Sequence, residues 1–124
     1  MKILLVDDSP EMVEAVRNTL ADHFEIVGVC EDGFAAVRDA PRLDPDLIIL
    51  DVSLPGMNGF EVAKELARLK VRAKIIFLSV HMDLSYVEAA LEVGAFGYVF
   101  KSRLSADLLV AIEQVMEGRK FTSS

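Results

Sequence analysis

Leu47-Ile48-Ile49-Leu50-Asp51-Val52-Ser53-Leu54-Pro55-Gly56 decides the fold. Four consecutive apolar residues describe a strand covered on both faces, because a strand with one face in water alternates apolar and polar residues. A carboxylate ends the run, and Pro55-Gly56 marks a tight turn shortly after it. Asp51 thus stands where a buried strand leaves its sheet. An ionised carboxylate there is costly unless it is paired, hydrogen-bonded or bound to a cation. A single such Asp is adequately explained as a local cap; its meaning depends on how the other strands end.

They end in the same manner. Ile3 to Val6 runs into Asp7-Asp8, Lys74 to Leu78 into Ser79, and Phe96 to Phe100 into Lys101, while Glu25 to Cys30 supplies one more strand. Helical stretches separate these runs. Ser9-Pro10-Glu11 opens a helix striped by Met12, Val13, Val16 and Leu20. Asp32-Gly33 opens a short one containing Phe34, Ala36 and Val37, bracketed by Pro41 and Pro45. Asn58 and Glu61 have capping-box spacing ahead of Phe60, Ala63 and Leu66. Asp83 starts a helix carrying Leu84, Val87 and Leu91, closed by Gly94. Ser105 caps a last helix with Leu108, Leu109, Ile112, Val115 and Met116 inward, closed by Gly118. Five strand–helix alternations with short connections imply a parallel sheet covered by helices on both faces.

The chain has 124 residues, enough for one core: a domain over residues 1–118 is expected, with 119–124 as a tail or the start of a linker. Hydrophobic residues make up 52% and charged residues 27%, which excludes a disordered chain. A net charge of -7 argues against these residues gripping nucleic acid or anionic lipid themselves. The single Cys30 lies in an apolar run and reads as a reduced core residue. Only four apolar residues follow Met1-Lys2 before Asp7, and no run approaches the ~20 residues of a membrane span, so a cytoplasmic location without a membrane partner is expected.

In open parallel sheets ligands bind beyond the carboxyl ends of the strands. Asp7, Asp8, Asp51, Ser79 and Lys101 all come to that edge. Three carboxylates cannot remain ionised together without a cation, since each raises the others' pKa. Lys101 could neutralise part of the cluster as a structural ion pair, yet one ammonium does not balance three acids. A hard divalent ion suits an all-oxygen set, and Mg2+ takes one or two carboxylates plus waters and a phosphate oxygen. A carboxylate in that setting can attack phosphorus and form an aspartyl phosphate.

Leu4-Leu5-Val6-Asp7-Asp8, Asp51 with Leu54-Pro55-Gly56-Met57-Asn58-Gly59, Ser79, and Tyr98-Val99-Phe100-Lys101 together resemble the receiver domain of bacterial two-component response regulators, over essentially the whole chain. The part from Gly94 onward is most similar to receivers joined to a LuxR-type helix-turn-helix output domain. The resemblance implies a flavodoxin-like (βα)5 fold, with a five-stranded parallel sheet of order 2-1-3-4-5. It implies that Asp51 is the phosphoacceptor and that Asp8, Asp51 and the backbone carbonyl of Ser53 ligate Mg2+ (or Mn2+), with Asp7 holding the ion through water. It further implies that Lys101 pairs with the phosphoryl group, that Ser79 bonds a phosphoryl oxygen, and that Tyr98 turns inward to follow Ser79. His81 would stand at the site rim, where it and Ser53 influence the phosphoryl lifetime. The partners implied are a sensor histidine kinase and a second copy on phosphorylation, with DNA reached only through an output domain that these residues do not contain. Family members usually carry Pro after the lysine; here Ser102 follows, and a trans bond is expected because a cis bond without proline costs about 2.5–4 kcal/mol.

Three other functions fit less well. A haloacid-dehalogenase-like phosphatase needs a second Asp two residues after the nucleophile, where Ser53 stands. A flavin module needs a Ser/Thr/Gly-rich phosphate loop, where Asp7-Asp8-Ser9-Pro10 would repel phosphate. A receiver-like scaffold that is never phosphorylated would have no use for the full acid, hydroxyl and lysine set. The chain is therefore read as a phosphoacceptor that assists its own phosphorylation and dephosphorylation, not as an enzyme with an external product.

Overall fold

The computed structural model describes residues 1–21 and 23–124. In chain order the elements are β1 (Lys2–Val6), α1 (Pro10–Leu20), β2 (Glu25–Cys30), α2 (Gly33–Leu43), β3 (Leu47–Leu50), α3 (Gly59–Arg68), β4 (Lys74–Ser79), α4 (Leu84–Glu92), β5 (Gly97–Phe100), a 3-10 turn (Lys101–Arg103), α5 (Leu104–Met116) and β6 (Phe121–Thr122). The sheet is parallel throughout, in the order β2-β1-β3-β4-β5-β6. The expected order is present, but among the described residues the sheet has six strands rather than five. The extra strand lies in the segment 119–124: Phe121 pairs with Gly97 and Thr122 with Tyr98. The edge of β5 otherwise leaves backbone groups unpaired, and a chain returning from α5 satisfies them.

Alternate residues of each central strand feed opposite layers, as a strand's period of two requires. Leu4, Val6, Ile48, Leu50, Phe77 and Tyr98 pack with α2, α3 and α4. Ile3, Leu5, Leu47, Ile49, Ile76, Leu78 and Val99 pack with α1 and α5. Helix starts follow local chemistry: Ser9 accepts from the Met12 N–H, Asp32 from the Ala35 N–H, and Asn58 and Glu61 form a reciprocal capping box.

Several expectations need correction. Helix α2 runs through Pro41 to Leu43 instead of stopping at the proline, and ends where Asp44 turns left-handed at φ 47°. Pro41 is exposed in the last turn, where only one intrahelical bond is lost. Helix α5 starts at Leu104, straight out of the 3-10 turn, and Ser105 forms no cap. Leu109 and Met116, expected inward, face outward at 42% and 37% exposure. Phe34 and Leu84, whose facing the sequence left open, are exposed as well. Helices α4 and α5 are apolar over more than one face, so periodicity alone does not select the face that meets the sheet. The peptide bonds are trans among the described residues, Lys101–Ser102 included. No helix of the described residues is long and apolar enough to cross a membrane.

Candidate functional site

Strand register brings the acids together. Val6 lies opposite Leu50, so the next residues, Asp7 and Asp51, leave adjacent strands at one level. Their backbones are fixed by ladder bonds, Asp7 N–H to Cys30 O (3.0 Å) and Asp51 N–H to Val6 O (2.9 Å). Ser79 lies opposite Phe100, one residue before Lys101, on the same sheet edge. The β3–α3 loop is held against α3 by Gly59, whose N–H donates to Val52 O (2.8 Å). A Cβ at Gly59 would stand 2.2 Å from the Asp51 carbonyl oxygen, so only glycine admits this approach.

Asp7 and Asp51 are buried and Asp8 is exposed; one carboxylate oxygen from each lies within 4.8 Å of the others. The Lys101 ammonium donates to Asp51 Oδ2 at 2.9 Å and lies 3.0 Å from Asp7 Oδ2. The second contact is an ion contact without hydrogen-bond alignment, which leaves Asp7 Oδ2 buried and without a hydrogen bond among the described residues. The remaining oxygens are engaged by their own loops: Asp7 Oδ1 accepts from the Ser9 N–H (2.9 Å) and Asp51 Oδ1 from the Ser53 N–H (3.2 Å).

The titration of the group follows from this geometry. Burial pushes the Asp51 carboxyl above its ordinary range; Lys101 opposes that shift and Asp7 adds to it. Burial alone would lower Lys101, but its hydrogen bond to Asp51 and its ion contact with Asp7 outweigh it, and the ammonium is held above its ordinary value. Lys101 is therefore charged at neutral pH, facing more negative charge than it can cancel.

The donor set fits a hard divalent cation. Three carboxylates converge, one buried oxygen has no hydrogen bond, and every donor is oxygen. The mouth beside Asp8 and Ser53 opens onto a depression of about 610 Å³ lined also by Leu54, Asn58, Phe60 and Tyr86.

The sequence model described as Response regulator receiver domain matches residues 3–113. The chain belongs to that family. Among curated relatives, the nitrate/nitrite response regulator protein NarL of Escherichia coli is 37% identical over 123 residues, covering 98% of this chain and 57% of that protein. The transcriptional regulatory protein DegU of Brevibacillus brevis is 35% identical over 120 residues, covering 95% of this chain and 51% of that protein. The chain thus spans about half the length of the curated relatives it matches. A LuxR-family two-component response regulator from an Aurantimonas species superposes with a TM-score of 0.91 at 32% identity, over 97% of this chain and 87% of that one. The isolated receiver domain of RcsB from Salmonella enterica serovar Typhimurium, solved in the presence of the phosphomimetic BeF3-, superposes with a TM-score of 0.91 at 29% identity, over 100% of this chain and 94% of that one. The kinship is with response regulator receivers of the LuxR family.

The other residues singled out in the receiver sequence fall around this centre. Ser79 is buried, and its hydroxyl accepts from the His81 N–H at 3.0 Å. Tyr98, expected to turn inward, is already fully buried, and its hydroxyl donates to the His81 carbonyl at 2.8 Å. Burial pushes its phenol upward. Ser53 and His81 are joined across the mouth, Oγ to Nε2, at 3.1 Å. The His81 ring also stacks on Tyr86, centroids 4.1 Å apart and planes 11° from parallel. Tyr86 escaped the sequence reading because its partner comes from the preceding loop, and helical spacing shows only pairs within one helix.

Proposed function

We propose that this receiver accepts a phosphoryl group on Asp51 from a histidine kinase and that the modification alters its surface. The observation that carries this reading is the Lys101 ammonium held between the buried carboxylates of Asp51 and Asp7, with Asp8 beside them. In the transfer, an Asp51 carboxylate oxygen bonds to phosphorus as the bond from phosphorus to the donor's imidazole nitrogen breaks. The imidazole leaves with that electron pair and takes a proton from water. Lys101 then exchanges part of its contact with Asp51 for a phosphoryl oxygen, and the Ser79 hydroxyl supplies a second donor.

Asp8, Asp51 and the Ser53 carbonyl would ligate Mg2+ (or Mn2+), with Asp7 holding it through water. The ion supplies charge neutralisation at the phosphoryl oxygens. Ser79 and Tyr98 meet at one residue: the first accepts from the His81 amide and the second donates to its carbonyl. A pull on Ser79 therefore reaches Tyr98 and α4 through the loop between them, the bistable element of a phosphorylation switch. Kinship with LuxR-family regulators supports a cytoplasmic, transcription-regulating setting, with a second copy engaged on phosphorylation and DNA reached only through an output domain.

Intact mass after incubation with acetyl phosphate tests the reading. A gain of one phosphoryl group that needs Mg2+ and vanishes in Asp51→Asn is expected. No gain in the folded protein with Mg2+ present would contradict it and favour the scaffold role.

A further inference from the structure

Strand β6 leads into a buried hydroxyl that takes no part in the acidic cluster. Ser123 is 4% exposed, although Thr122 and Ser124 on either side are exposed. Its N–H donates to the Tyr98 carbonyl at 2.9 Å. The next donor along β5, the Phe100 N–H, bonds the Ser123 hydroxyl at 3.1 Å, so a side chain extends the ladder. That hydroxyl in turn donates to Asp107 Oδ2 at 2.7 Å. Asp107 lies in the first turn of α5 and also receives both Arg103 contacts, Nε to Oδ2 and Nη2 to Oδ1, each at 3.3 Å. The Ser123 hydroxyl, and then Arg103, hold the Asp107 carboxyl below its ordinary range, so these bonds are charge-assisted at neutral pH.

Lys101 sits between the two points this network grips. Phe100, the residue before it, is held through its N–H by Ser123, and Arg103, two residues after it, is held by Asp107. A lysine side chain is long, so a shift of its backbone moves the ammonium away from contacts of 2.9 and 3.0 Å. The residue after Lys101 gives little help. Ser102 lacks the ring that fixes proline's φ, and its hydroxyl makes only a 3.8 Å contact with Met82 Sδ. The backbone around Lys101 is braced instead from the far side, by a residue twenty-two positions later in the chain.

We propose, resting on the phosphoacceptor reading of Asp51, that Ser123 and Asp107 are positioning residues for Lys101. They hold the last peptide of β5 and the turn after it so that the ammonium meets the phosphoryl group on Asp51. Docking of β6 and reactivity of the acidic site are thereby linked.

The test is a double-mutant cycle on the 124-residue chain, following Mg2+-dependent phosphorylation by acetyl phosphate by intact mass. Ser123→Ala should slow the reaction about tenfold, the order of effect expected when a reacting group is displaced by a fraction of an ångström. Added to Lys101→Ala it should have no further effect, because Ser123 acts only through that side chain. Mg2+ affinity, read separately by titration, should not change in Ser123→Ala. A rate equal to wild type, or effects that multiply in the double variant, would overturn the proposal. Should Ser123→Ala fail to fold, Asp107→Asn enters the same cycle under the same criteria, since it keeps an acceptor for the serine hydroxyl and loses the charge facing Arg103. A wild-type chain that gains no phosphoryl group overturns the Asp51 reading itself, and that result is distinct from a failed cycle.

Discussion

Replacing the proposed phosphoacceptor by its neutral isostere should make the protein more stable. Two unit charges 4.8 Å apart repel by about 3.5 kcal/mol at an effective dielectric of about 20. Asp51 faces two such neighbours, Asp7 and Asp8, although the exposure of Asp8 weakens its share. The opposing attraction to Lys101 at 2.9 Å is about 6 kcal/mol on the same basis. These contributions nearly cancel, and the desolvation of the Asp51 carboxylate then decides the sign. Burial is the largest cause of its upward shift, so ionised Asp51 opposes folding. The sign in pH follows: a carboxyl with a raised folded pKa favours folding at acid pH, and stability is lost as pH rises through the ordinary carboxylate range toward the folded value. The penalty is present wherever the carboxylate is ionised in the folded chain. Asp51→Asn should therefore gain about 1–2 kcal/mol at pH 7 in low salt without divalent ions, or about 3–8 °C in Tm for a chain of this size. Urea unfolding of both proteins with a chelator present measures the difference. A variant less stable than wild type by 1 kcal/mol or more would refute the reasoning, because Lys101 would then be overcompensating the cluster.

Other expectations are independent of that result. Mg2+ should stabilise the wild-type chain by about 2.7 kcal/mol at a hundredfold excess over Kd, and Asp51→Asn by much less; thermal melts across a Mg2+ series decide it. Gly59→Ala drives a methyl against the Asp51 carbonyl and should cost about 1–3 kcal/mol while slowing phosphorylation, read by urea unfolding and by mass; an unchanged midpoint would show that the loop has room. His81→Phe keeps a ring on Tyr86 but drops the bond to Ser53, worth about 1 kcal/mol, so phosphoryl loss should quicken about fivefold; an unaltered decay would remove the bridge from the account. Burial, then Asp39, raises the Cys30 thiol to about 11, so it should resist a thiol reagent at pH 8 until the chain unfolds, and rapid reaction of the folded protein would contradict its placement. Between pH 9 and about 11 the unfolded chain sheds that proton first, so stability should fall across this window.

The acidic edge was legible because parallel strands buried on both faces write themselves as unbroken apolar runs. The residue that breaks each run, Asp7, Asp51, Ser79 or Lys101, then marks the strand end without ambiguity. Strand order was a different matter, since periodicity carries no information on which strands are neighbours; the order 2-1-3-4-5 came from the resemblance. Phe121–Thr122 escaped because two residues have no measurable alternation, and their strand exists only through its pairing with β5. Ser123 was equally hidden: a serine among polar neighbours reads as solvated, and its burial depends on Asp107 and Phe100, both distant in sequence. Leu109 and Met116 were misassigned because a helix with apolar residues on two faces does not say which face meets the sheet.

The central claim is that Asp51 carries the phosphoryl group. Borohydride reduces an aspartyl phosphate to homoserine, which peptide mass spectrometry locates along the chain. Treatment of the acetyl-phosphate-modified protein should place homoserine at position 51, and omission of Mg2+ should abolish it. Homoserine at Asp7 or Asp8, or a phosphoryl group that survives borohydride on a serine, would contradict the account.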